Sequence, residues 1–264
     1  MSKWVNGVVV ANTHWTENLF SLRIEADVAP FLPGQYTELA IRREDGSRHS
    51  QPYSILSAPT ASGSQALEPK AGKTGNPQTL EFFLYTHLEG ELSCELSRLK
   101  PGDSLEVGAE PAGTLTLSHI KDTATLCLMA TGTGVAPFIS MIQSDTPWQR
   151  FDNVVLVYGV REEADLCYRP LLDSLAEQYP GRFSFVPVIS REAVTGALRG
   201  RIPALLDSGE LEQALGWQLS AENAHIMLCG NPGMVQDSAA VLTDRGFSVH
   251  SPEHPGQVSF EAYW

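Results

Sequence analysis

The sequence predicts two domains of different class: an N-terminal antiparallel β-barrel, followed by a doubly wound α/β domain with a Rossmann-like parallel sheet. Three observations carry this. A chain of 264 residues exceeds one ordinary domain and is long enough to bury two cores. From Val5 to about Val107, short β-rich runs are broken by turn residues. After Ile120 the rhythm changes to apolar runs, each followed by a helical pattern.

In chain order, the runs VVVAN, LFSLRIE, QYTELAI, YSILS, LEFFLYTH and LEVGAE read as barrel strands. FLPGQ, with Pro33 and Gly34, and LKPGD, with Pro101 and Gly102, are turns between strands, and EDGSRHS is a polar turn. Residues 61–79 hold five Gly/Pro residues and two lysines without periodicity, so an exposed loop is expected there. In the second half, ATLCLMA precedes APFISMIQS, NVVLVYG precedes RPLLDSLAEQY, and AHIMLCG precedes PGMVQDSAAVLTDR. Wholly apolar strands alternating with amphipathic segments indicate a parallel sheet covered on both faces. The boundary is expected near 115–122, giving a barrel domain at 1–118 and an α/β domain at 119–264.

Composition narrows the function. Hydrophobic residues at 42% and charged residues at 19% fit a folded globular protein. No stretch approaches the roughly 18 apolar residues of a membrane helix, and MSKWVNGVVV lacks the features of a signal peptide, so a cytoplasmic protein without a membrane partner is expected. A net charge of −13 disfavours non-specific binding to nucleic acid. Cys94, Cys127, Cys167 and Cys229 show neither metal-type pairs nor an iron–sulfur spacing, so no metal site is expected. Redox chemistry would then require an organic cofactor, because no side chain delivers a hydride.

Ligands of open α/β sheets bind beyond the carboxyl ends of the strands, so the turns there are the places to inspect. Thr131-Gly132-Thr133-Gly134 follows LCLMA and opens a helix with Pro137 in its first turn. Its glycines would let backbone approach a ligand, and a helix start favours phosphate. An ordinary strand-to-helix turn stays open as the alternative, since the motif is neither GxGxxG nor a Walker loop. Cys229-Gly230-Asn231-Pro232 stands at another strand end, where Cys229 is either a ligand-facing thiol or an inert small hydrophobe. Arg161, Arg191, Arg199 and Arg201 follow successive strands in a chain with only 18 basic residues. As a set they suit an anionic group such as a 2′-phosphate, whereas each alone reads as surface charge. Tyr53-Ser54 could cover and hydrogen-bond a flavin, or form a half-buried strand.

Taken in order, QPYS, GELS, ATGTGVAP, YGVR, ISRE, GRIP, CGNPGM and the terminal EAYW resemble the bacterial ferredoxin(flavodoxin)–NADP reductase family over nearly the whole chain outside 61–79. The resemblance implies an FAD-binding barrel, an NADP-binding α/β domain and oxidoreductase activity. It implies FAD contacts at Gln51, Pro52, Tyr53 and Ser54 of the family's R-x-Y-S segment. Further FAD contacts follow along Phe83, Leu84, Tyr85 and Thr86, then at Glu91, Leu92 and Ser93, and at Thr133. Tyr263-Trp264 is expected to stack on FAD. For NADP(H), the resemblance points to Val160, Arg161, Ser190, Arg191 and Arg201 around the adenosine 2′-phosphate, and to Thr133, Cys229, Gly230 and Asn231 near the nicotinamide. Ser54, Cys229 and Glu261 are the implied catalytic set.

One departure stands out. Gln51 occupies the position of the family's arginine, which removes a positive charge expected beside the FAD pyrophosphate, with Arg48 or Lys70 and Lys73 as candidate substitutes. The implied reaction passes a hydride between NADP(H) and FAD, and the electrons then pass singly to a separate ferredoxin or flavodoxin. A monomer is expected. The alternatives are a reductase component of an oxygenase, a free-flavin reductase, or a sensor that binds flavin or nucleotide without turnover.

Overall fold

A computed structural model describes residues 3–43, 45–59, 77–86, 91–251 and 253–262. Two compact units result: Met1–Ser118 with Ile139–Thr146, and His119–Phe138 with Pro147–Trp264.

The first unit is a six-stranded antiparallel sheet of β1 (Trp4–His14), β2 (Leu19–Ala26), β3 (Tyr36–Arg42), β4 (Arg48–Ser54), β5 (Gln78–Tyr85) and β6 (Ser104–Gly108), in the order β4-β3-β6-β1-β2-β5. Its two outer strands meet just past β4. Ile55 bridges Phe82, and Leu56 N–H donates to the Glu81 carbonyl at 2.7 Å, which closes the barrel. The period-2 pattern decides what faces inward: Phe20, Leu22 and Ile24 of β2 and Leu80, Phe82 and Leu84 of β5 form one core. Each such side chain contributes roughly 1.5–3 kcal/mol on burial.

Helix α1 (Leu92–Ser97) packs into this core through Leu92 and Leu96. Its last carbonyls lack helical partners. Asn12 Nδ2 donates to the carbonyls of Leu96 and Ser97 at the helix end and of Leu99 just past it, at 3.3, 3.0 and 2.8 Å, and His14 Nε2 lies 3.0 Å from the Ser97 carbonyl. Segment Ile139–Thr146 joins this unit, where Ser140 Oγ donates to the Ser57 carbonyl at 2.8 Å and Gln143 Nε2 to the Leu56 carbonyl at 3.2 Å.

Two local expectations need correction. Arg48, His49 and Ser50, read as part of a turn, belong to β4, pairing with Arg42, Ile41 and Ala40. An edge strand paired on one side tolerates polar residues, so the apolar alternation that marks strands is missing. Gln78 and Thr79, read as loop, already pair with Ala26 and Glu25 as the start of β5. Residues 61–76 of that segment, with Lys70 and Lys73, lie outside the described residues.

The second unit is a parallel sheet of β7 (Thr125–Thr131), β8 (Asn153–Val160), β9 (Phe183–Ile189), β10 (Leu198–Arg199), β11 (Ala224–Gly230) and β12 (Val258–Ala262), in the order β10-β9-β8-β7-β11-β12. The helices between strands are α2 (Ala136–Ile142), α3 (Thr146–Arg150), α4 (Arg169–Gln178), α5 (Ile202–Ser208), α6 (Glu210–Leu215) and α7 (Pro232–Asp244). Cys127, Met129, Val155, Val157, Ile226 and Leu228 form the centre of the core. At the C-terminus of α7, Arg245 pairs with the buried Glu212 carboxylate and donates to the Leu206 carbonyl at 3.3 Å, tying α7 to α5 and α6. No described helix is long and apolar enough to cross a membrane.

Candidate functional site

Strand order reverses between β7 and β11: β8, β9 and β10 lie to one side of β7, and β11 and β12 to the other. Such a switch point opens a crevice at the carboxyl ends of its strands. Both glycine-bearing turns singled out from the sequence lie there. A Cβ built on Gly134 would sit 2.5 Å from Gly230 Cα, so the two turns touch backbone to backbone. Thr131 Oγ1 fastens them further by accepting from Asn231 N–H at 3.0 Å. Sequence reasoning did not give Thr131 this role, because its partner is 100 residues away. The Asn231 side chain accepts from Gly233 and Met234 N–H at 3.0 and 3.3 Å and so caps α7.

Cys229 is fully buried at the end of β11 and pairs in register with Glu261 of β12. Neighbouring strands stand about 5 Å apart, which places the two side chains side by side. Glu261 Oε2 is buried without a hydrogen-bond partner, and burial pushes its carboxyl up to about 6. A buried carboxylate oxygen without a partner, beside a thiol at a strand end, is a candidate for contact with a ligand. Thr133 lies half-buried on the opening turn of the same crevice. Tyr263 and Trp264 fall outside the described residues.

The arginines follow three consecutive strands of one side of the sheet: Arg161 after β8, Arg191 after β9, and Arg201 after β10. Backbone bonds draw these ends together, Ser190 N–H to the Val160 carbonyl at 3.1 Å and Arg191 N–H to the Arg161 carbonyl at 3.0 Å. Ser190 Oγ also donates to the Val160 carbonyl at 3.2 Å. Among the described residues, the side chains of Arg161 and Arg201 form no hydrogen bond or ion pair, and Arg191 has one distant contact, 3.9 Å to Glu162. Exposed guanidinium groups at neighbouring strand ends have the chemistry to bind an anion.

In the barrel unit, His49, Gln51 and Tyr53 share one face of β4. Tyr53 OH donates to Gln51 Oε1 at 3.0 Å, leaving the Gln51 amide N–H free to donate outward. Burial first, and then the nearby Glu91 carboxylate, push the Tyr53 phenol well above its ordinary range, so it remains a donor. Ser54 and Ser93 are buried, and Pro52 is exposed on the opposite face of the edge strand from Tyr53. Of the four residues singled out in and just after β5, Leu84 points into the core while Phe83 and Tyr85 take the other face, and Thr86 Oγ1 donates to the Asn18 carbonyl at 3.2 Å.

Arg48 is unavailable as a substitute for the missing arginine. It sits on the opposite face of β4 from Gln51, bonded to Glu106 at 2.7 and 3.1 Å and stacked 4.4 Å over Trp4. On the same face of β4 as Gln51, His49 Nδ1 lies 3.1 Å from Glu95 Oε1 and 2.8 Å from Arg43 Nη2.

Comparison with known proteins agrees with both units. Residues 128–240 match the model of the oxidoreductase NAD-binding domain. The chain is 42% identical to a flavodoxin/ferredoxin–NADP reductase of Shigella flexneri and 41% identical to one of Escherichia coli, each alignment covering 100% of both chains. It superposes with a TM-score of 0.88 on the crystal structure of a ferredoxin–NADP⁺ reductase from Neisseria gonorrhoeae with bound FAD and NADP, at 31% identity over 99% of each chain.

Proposed function

Since this chain belongs to the flavodoxin/ferredoxin–NADP reductase family, we propose that it is an oxidoreductase that exchanges a hydride with NADP(H) through FAD and single electrons with a separate ferredoxin or flavodoxin, acting as a cytoplasmic monomer. The observation that carries the NADP(H) half is the set of exposed guanidinium groups at the ends of β8, β9 and β10, together with the glycine contact at the switch point. Arg161, Arg191 and Arg201 hold the 2′-phosphate, with the loop turned toward it by the Ser190 and Val160 bonds. Thr133 and the Cys229-Gly230-Asn231 turn hold the nicotinamide end, where only glycine at 230 lets the chain approach closely.

The barrel residues fit FAD. The half-buried Tyr53 ring offers an aromatic face, Ser54 and Ser93 bring buried hydroxyls, and Gln51 and Tyr53 keep donors on a shared face. Phe83, Tyr85, Thr86, Glu91 and the backbone of Leu92 complete the lining, with Asn12 bound to the Ser97 and Leu99 carbonyls at the end of α1. Bound FAD supplies the conversion of one hydride into two single electrons. The chain positions the reactants and places the Glu261 carboxyl beside Cys229 at the reacting end.

The visible spectrum of the purified protein, recorded before and after anaerobic NADPH, tests the reading. Flavin bands that bleach support it. A protein that neither carries nor takes up FAD overturns it.

Two substitutions test individual groups. Gln51→Arg returns a guanidinium to the face of Tyr53 and should tighten FAD about tenfold, as a charge-assisted hydrogen bond replaces a neutral one. Unchanged FAD release on dilution would show that the pyrophosphate lies elsewhere. Glu261→Gln addresses the raised carboxyl. A folded-state value near 6 against 4.5 in the unfolded chain means that the stability tied to the protonated form is complete below 4.5 and is lost as pH rises through 6. The amide variant should therefore match the parent near pH 4.5 and exceed it by on the order of 2 kcal/mol near pH 8 in urea unfolding. Its rate should also lose an inflection near pH 6. Identical stability profiles would remove the buried-acid assignment.

A further inference from the structure

We infer that Glu162 is a specificity-determining residue of the adenosine site, whose carboxylate competes with the 2′-phosphate of NADP(H) for Arg191 and restrains the preference over NAD(H). The inference rests on the reading of the arginines as the phosphate site. In dinucleotide folds an acid at the end of the strand beside the first one accepts the ribose 2′-hydroxyl of NAD, whereas an arginine there accommodates the 2′-phosphate of NADP. Strand β8 neighbours β7, the first strand of this sheet, and its end carries both residue types in succession, Arg161 and Glu162.

Position supports a role for Glu162 rather than for the other acids nearby. Glu162 Oε1 lies 3.9 Å from Arg191 Nη1, and this is the sole ion pair that Arg161, Arg191 or Arg201 makes among the described residues. Glu163 is turned away, its carboxylate 3.9 Å from Arg169 Nη1. Glu192 is occupied by accepting from Glu163 N–H at 2.5 Å. Glu162 N–H donates to Asp165 Oδ2 at 3.2 Å, and the Glu162 carboxylate accepts in return from the Asp165 backbone, a capping box that holds this carboxylate at the end of β8 beside Arg191. A phosphate dianion arriving at Arg191 must displace this carboxylate or stand beside it, and either is unfavourable. NAD(H) brings no such charge, and its 2′-hydroxyl can donate to Glu162.

The Glu162 and Arg191 side chains are 58% and 60% exposed, so the pair is weak and its removal should change affinity about twofold to fivefold. The test is calorimetric titration of the FAD-loaded protein and of its Glu162→Gln and Arg191→Ala variants with 2′-phospho-AMP and with AMP, joined to Michaelis constants for NADPH and NADH. Glu162→Gln should tighten 2′-phospho-AMP about threefold at low ionic strength, lose that gain in high salt, lower the NADPH constant similarly with kcat unchanged, and leave the NADH constant no lower. Arg191→Ala should weaken 2′-phospho-AMP about tenfold. If Arg191→Ala has this effect and Glu162→Gln has none, the Glu162 inference falls and the arginine reading stands. If Arg191→Ala has no effect either, the arginine reading falls and takes the inference with it. Equal tightening of AMP would also overturn the inference, since it would reveal a general relief of negative charge.

Discussion

Removing the guanidinium groups of Arg191 and Arg201 together should raise the Michaelis constant for NADPH by about a hundredfold or more while changing that for NADH by no more than about threefold. Each hydrogen bond to a charged partner contributes roughly 1.5–3 kcal/mol, and two lost at once give 3–6 kcal/mol. In the present structure these arginines have little else to do: Arg201 has no side-chain partner among the described residues, and Arg191 has one contact at 3.9 Å. Their loss should therefore leave the fold intact. NADH lacks the 2′-phosphate and so forgoes nothing. Steady-state rates with ferricyanide as acceptor, measured at two ionic strengths, provide the check. Equal losses for the two nucleotides would refute the assignment, and a drop in thermal stability would show that the arginines hold the loops instead.

Gly230→Ala should be strongly damaging, because backbone strain and crowding act together at this position. The residue sits at φ +129°, where side chains are strained, and a Cβ there would lie 2.5 Å from Thr131 Oγ1 and 2.7 Å from the Thr131 carbonyl. The second contact is with the backbone of β7, so no flexible side chain can yield. Strain of roughly 1–3 kcal/mol adds to whatever the displaced turn loses, including the bond from Asn231 N–H to Thr131 Oγ1. We expect about 3 kcal/mol or more of lost stability, or a retained fold with NADP⁺ binding abolished. Gly132→Ala is the control: its φ is +54°, yet nothing lies within 4 Å of the added methyl, so only the strain of a left-handed residue, about 1–2 kcal/mol, should appear. Urea unfolding and NADP⁺ titration of both variants separate crowding from strain. Equal effects would mean that the two turns are not in contact.

Much of this molecule was legible before any coordinates. Alternation of apolar residues in LFSLRIE and the unbroken apolar runs LCLMA and NVVLVYG reflect burial on one face or on both, and that pattern is local, so both sheets follow from it. Glycines and prolines at strand ends marked the turns of the switch point for the same reason. What escaped reading was the edge. Strand β4 carries Arg48, His49 and Ser50 because one side needs no apolar neighbour, and β12 is a short VSFEA run with too little pattern to announce itself.

The family motifs located candidate residues without saying how each spends its polar atoms. Arg48 looked able to replace a missing cation, but Glu106, 58 residues away, claims it. Asn231 looked available to a ligand, but its oxygen caps α7. The bond from Asn231 N–H to Thr131 Oγ1 and the contact of Glu162 with Arg191 exist only because β7 meets β11 and β8 meets β9. The sequence by itself determined the class and order of the two units and the strand ends where ligands bind, because periodicity and turn chemistry act over a few residues. Only the tertiary structure decided which cations stay free, which acid stays unsatisfied and which glycines touch, because a hydrogen-bond partner is chosen by the register of strands far apart in the chain.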